Sequence, residues 1–438
     1  MAQNTPPIPP AAAYTRLVER LNRFPQGAPP SPSLYEILSI LFSEREAALV
    51  AQLPIQSFAL KDAARIWQVD ESAAQKTLDD LTSRALIIDV AHPDGRIMYS
   101  VPPPMAGFFE FSMMRLRDDV DQKRLAELYY QYLNVEDDFL TDLFGTGGTN
   151  LGRILINEQV IPSGVEVLDY ERASEVVNTA SHIGISQCYC RFKMQMVEEA
   201  CAAPLDVCMT FNATAEGLIK SGYARQVDVA EGMDVLQTAY DHNLVQFGDN
   251  ARRDMNFICN CCGCCCEALT AARRFETMNP LHTTNFIAAI DLDKCSGCGK
   301  CVNICPVEAM TLVSANDPTQ PKRKQARLNE DICLGCGVCA RVCDSDGITM
   351  QPREQRVFTP LTFAHRVVLT ATERGQLQDL IFDRRDQWSQ RTLAAILGAI
   401  LRLPPVKRTL ARQQVRSRFL EAWIDKVGNA RSPRPPLK

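Results

Sequence analysis

The chain has 438 residues, a net charge of −5, 26 prolines and 18 cysteines. That length exceeds one compact core and suggests about three domains, so a small core in need of disulfide staples is excluded. No stretch joins a basic start to an apolar run and a small-residue cleavage site, and the longest apolar run, LAAILGAIL at 393–401, is about half of a membrane span. A cytoplasmic protein with no transmembrane segment is expected, and in that reducing compartment the cysteines point to metal or redox chemistry.

Residues 1–32 hold eight of the prolines and read as a Pro-rich flexible arm. From Ser33 the spacing turns helical in SLYEILSILFSEREAALVAQLP, then in ALKDAARIWQV, then in DESAAQKTLDDLTSRALI with Asp70 or Ser72 as cap. IIDVAHPDGRIMYSV then alternates around a Pro-Asp-Gly turn, the pattern of a hairpin. Helix, helix, helix, hairpin resembles a winged helix over 33–104. Its charge argues against DNA, because the region carries six basic and ten acidic side chains. The third helix sets Asp79 and Asp80 beside Lys76 and Arg84, a poor match to a polyanion, which favours a structural or docking role.

A helical connecting region is predicted over 105–185, from DQKRLAELYYQYL and VLDYERASEVVNTA. Between them FGTGGTNLGR lacks the spacing of a phosphate-binding loop and reads as plain loop. Residues 186–268 form a cysteine-rich metal-binding domain, 286–352 carry the other eight cysteines, and 360–438 are helical in pattern with a basic end. Residues 401–438 alone hold a local charge of +8, leaving −13 for the rest. The fold class expected is α+β and modular. The basic end, with Lys407, Arg408, Arg412, Arg416 and Arg418 beside an apolar face, suits an acidic partner or peripheral contact with an anionic membrane; a helix packed on its own domains is an equal alternative.

The strongest motifs are DKCSGCGKCVNICPVEAM and DICLGCGVCARVCDSDGI, each spaced C-x2-C-x2-C-x3-C: Cys295, Cys298, Cys301 and Cys305, then Cys333, Cys336, Cys339 and Cys343. Thiolates two residues apart, with Gly297, Gly299, Gly335 and Gly337 between them, let the backbone wrap closely around a cluster and aim N–H groups at sulfur. The pair resembles the bacterial two-cluster ferredoxin. The resemblance implies two [4Fe-4S] clusters with crossed ligation: Cys295, Cys298, Cys301 and Cys343 for cluster I, Cys333, Cys336, Cys339 and Cys305 for cluster II. Pro306 follows the first fourth cysteine, but Asp344 follows the second, and its carboxylate would lower the potential of the cluster beside it.

Upstream, CYCRFKMQMVEEACAAPLDVC supplies Cys188, Cys190, Cys201 and Cys208, enough for one tetrahedral site. The spacing matches no zinc or iron–sulfur signature, so zinc and a cubane both remain open, and a cubane is preferred because electron-transfer clusters lie next in the chain. Arg191 and Lys193 would offset thiolate charge. CNCCGCCC adds Cys259, Cys261, Cys262, Cys264, Cys265 and Cys266, which neither a strand nor a helix can aim at one cluster. They are expected to divide between two sites, some joining the four upstream cysteines, with Asn260 and Gly263 as spacers. One or two further iron–sulfur clusters, or zinc, would follow.

The full order of parts is similar to bacterial multidomain 4Fe–4S ferredoxin-type proteins. That resemblance spans most of the chain and supplies no reaction; the motifs themselves are read as an iron–sulfur protein passing low-potential electrons between cytosolic protein redox partners, a component of an oxidoreductase system. Two other readings are an oxidoreductase with an open iron site among the upstream cysteines and a redox-sensing winged-helix regulator. No nicotinamide or flavin fingerprint is visible.

Overall fold

A computed structural model describes residues 11–92, 95–145, 149, 151–274, 284–354, 356–384 and 387–401. The first helix, α1 (Ala12–Leu21), lies inside the segment expected to be a flexible arm. Leu17, Val18 and Leu21 recur at helical spacing and are buried, and Arg20 donates to the carbonyls of Leu53 at 3.3 Å and Pro54 at 2.6 Å. The prolines do not prevent this. Asn22 holds the following turn through its side-chain amide to Ala28 O at 2.8 Å, and Pro32 sits in the first turn of α2 (Pro32–Leu41), where its missing N–H costs nothing.

The apolar stretch that follows was expected as one helix and is two. Phe42 is extended, and Ser43 with Glu46 forms a capping box that opens α3 (Glu44–Val50). After β1 (Phe58–Ala59) come α4 (Leu60–Trp67) and α5 (Glu71–Ser83), the latter capped by Asp70. The strands β2 (Ile88–Ala91) and β3 (Ile97–Ser100) pair antiparallel, and β1 adds to β3, giving a three-stranded sheet in the order β1-β3-β2.

Next come α6 (Phe109–Phe111), α7 (Gln122–Tyr130) and α8 (Asp138–Gly145). Phe109 packs its ring against Phe108, Tyr129, Tyr132 and Phe139, and these residues join the same apolar cluster as Leu34, Leu38 and Leu78. The border expected near residue 104 therefore runs through a continuous core.

A six-stranded antiparallel sheet follows, in the order β4-β8-β9-β6-β5-β7. In chain order it is built from β4 (Gly152–Ile154), α9 (Ala173–Thr179), β5 (Ile183–Ser186), α10 (Tyr189–Met196), β6 (Cys208–Phe211), α11 (Asn212–Lys220), β7 (Arg225–Val227), α12 (Val229–Asp241), β8 (Val245–Asp249) and β9 (Phe257–Cys261). Both β4 and β5 lie in what was expected to be a helical connector, so a boundary at 186 would cut the sheet. Short strands with helices between them hide their period-2 pattern, which is why the helical signal dominated. Gly217 on α11 is closely backed by Ile88 and Asp89, and Lys220 pairs with Asp89, which joins this sheet to the first one.

After α13 (Glu267–Arg274) two antiparallel pairs, β10 (Phe286–Ile290) with β13 (Ile348–Pro352) and β11 (Met310–Ser314) with β12 (Lys324–Leu328), frame α14 (Lys300–Ile304) and α15 (Val338–Arg341). The chain then returns to its beginning through α16 (Phe363–Arg374), α17 (Leu377–Ile381) and α18 (Trp388–Leu401). Asp383 accepts from the backbone N–H groups of Ile55 and Gln56, both at 2.8 Å. No described helix is long and apolar enough to cross a membrane.

Candidate metal centres

In the segment 286–352, two cavities are each walled by four cysteines. Cys295, Cys298, Cys301 and Cys343 line one; Cys305, Cys333, Cys336 and Cys339 line the other. The backbone must wrap tightly to do this. Gly297 and Gly335 have φ of +70° and +69°, and a Cβ would stand 2.2 Å from Lys324 O in the first case and 2.1 Å from Phe286 O in the second. Backbone N–H groups reach sulfur, Ala309 to Cys305 at 3.2 Å and Ala326 to Cys295 at 3.4 Å, as thiolates holding a cluster require. Four cysteines per cavity, glycine-lined walls and N–H donors at sulfur fit two cubanes.

The two cavities differ in exposure. Cys298 is exposed, whereas Cys333 is buried, and burial pushes the Cys336 thiol up to about 12. At the outer rim Lys300 donates to Asp344 at 2.5 Å, so the carboxylate that was expected to depress a potential is paired. On the inner side Asn157 N donates to Cys336 O at 3.1 Å, and Gly263 lies against Pro306, the residue after Cys305.

Residues 294–347 match the family model of a 4Fe-4S dicluster domain. The chain is an iron–sulfur protein. No curated protein and no solved structure matches it.

The ten remaining cysteines of this iron–sulfur protein fall into two groups. Cys201, Cys262, Cys264 and Cys265 have all four sulfurs within 4.8 Å of one another. The other six are close enough to perturb one another's ionisation in succession: Cys188 with Cys190, Cys190 with Cys266, Cys266 with Cys261, Cys261 with Cys259, Cys259 with Cys208. Cys201 thus leaves Cys188, Cys190 and Cys208, with which it had been grouped by proximity in sequence. CNCCGCCC is divided three and three. Cys259 and Cys261 alternate on β9 and so share a face; the chain then turns, and Cys266 comes back to them at the start of α13.

Asn260 is more than a spacer. It is buried, accepts from Gln246 Nε2 at 3.0 Å and donates to Val207 O at 2.8 Å, fixing the strand that carries both thiols. Arg191 and Lys193 have different tasks. Burial opposes the charge of Arg191, but the thiolates of Cys188, Cys262 and Cys261 outweigh it and hold the guanidinium above its ordinary value. Lys193, fully buried, instead pairs with Glu267 and hydrogen-bonds Asn134. Sequence reasoning missed Glu110, whose carboxylate accepts from Ala106 N at 2.7 Å and Gly107 N at 3.0 Å, and which burial pushes up to about 8. Nothing local to Glu110 marks it, because Cys259, its charged neighbour, lies far along the chain. The basic residues Lys407, Arg408, Arg412, Arg416 and Arg418 lie outside the described residues.

Proposed function

We propose that this chain transfers electrons between protein partners through its two-cluster segment, the outer four-cysteine cavity serving as the exchange point with a diffusing partner. Such clusters supply reversible one-electron chemistry at low potential. The observation that carries the reading is the polarity of the segment: Cys298 is open to solvent, while Cys305 and Cys333 face the rest of the chain.

The residues around the cavities divide the work. Lys300 and Asp344 give the outer rim a mixed charge that a partner can displace, and the exposed Cys298 lets it approach closely. Met350, Leu334 and Val307 keep water from the inner cavity. Pro306 against Gly263 sets the inner cavity one backbone contact from the turn that carries Cys262 and Cys264. The reading extends to a cytoplasmic setting and to redox partners that are proteins.

The test is anaerobic stopped-flow exchange between dithionite-reduced protein and a one-electron protein acceptor such as cytochrome c, with Lys300→Glu and Asp344→Lys as rim variants. Rates that change in opposite directions and converge at high salt support exchange at the outer rim. Rates unaffected by either reversal place the exchange elsewhere and refute it.

A further inference from the structure

The four-cysteine group outside the dicluster segment has a geometry of its own. Cys201 Sγ lies 3.6 Å from Cys262 Sγ, Cys264 Sγ lies 3.6 Å from Cys265 Sγ, and Cys265 Sγ lies 3.9 Å from Cys201 Sγ. Four thiolates at ~2.3 Å from one ion, at tetrahedral angles, stand about 3.8 Å apart. The thiolates of a cubane each bind a different iron and point away from one another, so they do not touch. The dicluster segment provides the internal contrast: its cysteines surround cavities instead of meeting one another.

We propose that Cys201, Cys262, Cys264 and Cys265 hold a single zinc ion in a closed tetrahedral site. Among divalent ions at such ligands zinc binds more tightly than ferrous iron, and a site with four protein ligands and no open position is structural. Binding exchanges four thiol protons for one Zn2+ and leaves a charge of −2 on the site. The buried guanidinium of Arg191, held by the carbonyls of Pro204 and Asn260, lies near Cys262 and offsets part of that charge.

The position explains what the ion would do. Residues 197–207, between α10 and β6, contain no regular element, and Cys201 sits in the middle of them. The ion would staple this loop to the turn after β9. That turn carries Gly263 against Pro306, so the staple lies beside the dicluster segment without lining either of its cavities. Because zinc does not change oxidation state, the site stands apart from electron transfer and the inference does not depend on that reading.

The test uses full-length protein purified without oxygen. Zinc should be present at one per chain, with four sulfurs at about 2.3 Å in its X-ray absorption spectrum. Cys264→Ser, which alters the exposed ligand, should lose that zinc to a chelator that leaves the wild type loaded, with iron content and the dicluster paramagnetic resonance signal unchanged. Zinc held by nitrogen or oxygen, or zinc retained equally by Cys264→Ser, would be an adventitious ion only and overturns the proposal. So does wild-type protein without zinc, or a Cys264→Ser variant that loses iron instead. If the variant does not accumulate, the wild-type absorption spectrum decides alone.

Discussion

Replacing Gly263 with alanine should loosen one cluster and spare the other. A Cβ at this position would lie 2.7 Å from Pro306 O, 2.8 Å from Pro306 Cα and 3.2 Å from Pro306 C, all backbone atoms that no rotamer can move aside. Restoring an ordinary 3.4 Å contact needs a displacement of about 0.7 Å, and overpacking of that kind costs about 1–3 kcal/mol. The strain falls on the residue after Cys305, so it raises the energy of the loaded inner cavity. At about 1.4 kcal/mol per factor of ten, cluster release should be roughly five to 150 times faster. Cluster loss would be followed anaerobically in urea by visible absorption and paramagnetic resonance, which separates the two clusters. Faster loss is expected only of the cluster in the cavity lined by Cys305, Cys333, Cys336 and Cys339. Gly164→Ala, left-handed at φ +89° but facing open space, supplies the control for a general glycine effect. Equal loss of both clusters, or loss at the wild-type rate, would refute the claim that the cysteine-rich turn bears on the inner cavity.

Three further outcomes are expected. Cys305→Ala should remove the signal of the cluster associated with Cys333, Cys336 and Cys339, and Cys343→Ala the signal of the other; damage confined to the cluster of its own motif in either variant would rule out the crossing. Glu267→Gln should destabilise the protein by about 3–5 kcal/mol in denaturant unfolding, since Lys193 would keep a buried charge without its partner, whereas Lys193→Met with Glu267→Met should cost clearly less. Glu110, held up to about 8 from an ordinary 4.5, takes up a proton on folding between those values, so its contribution to stability falls as pH rises from about 4.5 to about 8. Glu110→Gln should flatten that slope in thermal unfolding; a slope as steep as the wild type's would show that another group sets it.

Much of the local structure was readable because its causes are local. The spacing of each C-x2-C-x2-C-x3-C run brings three thiolates together within one turn and a short helix, and the glycines between them carry the left-handed backbone that the wrap needs. Caps such as Asp70 before α5 act over three residues. Counting prolines failed over 12–21 for a related reason: the apolar spacing of Leu17, Val18 and Leu21 was the better guide, and the nearest proline on either side leaves that stretch intact.

What stayed hidden depends on which strand lies beside which. Cys201 is close to Cys208 in sequence, yet the antiparallel pairing of Ser186 with Cys208 carries Cys208 beside Cys188, and β9 pairs with β6 to deliver Cys259 to the same place. The intervening loop is left to bring Cys201 to the far side of the β9 turn. Alternation along β9 fixes Cys259 and Cys261 on one face, and the turn at Gly263 carries Cys262, Cys264 and Cys265 to Cys201 instead. The same logic separates Arg191 from Lys193: two residues apart on α10 they point in different directions, one toward sulfur and one toward Glu267. Thiolate charge on one side of the helix and a carboxylate on the other is therefore the condition that lets two cations be buried within three residues, and removing either anion should expose the mismatch.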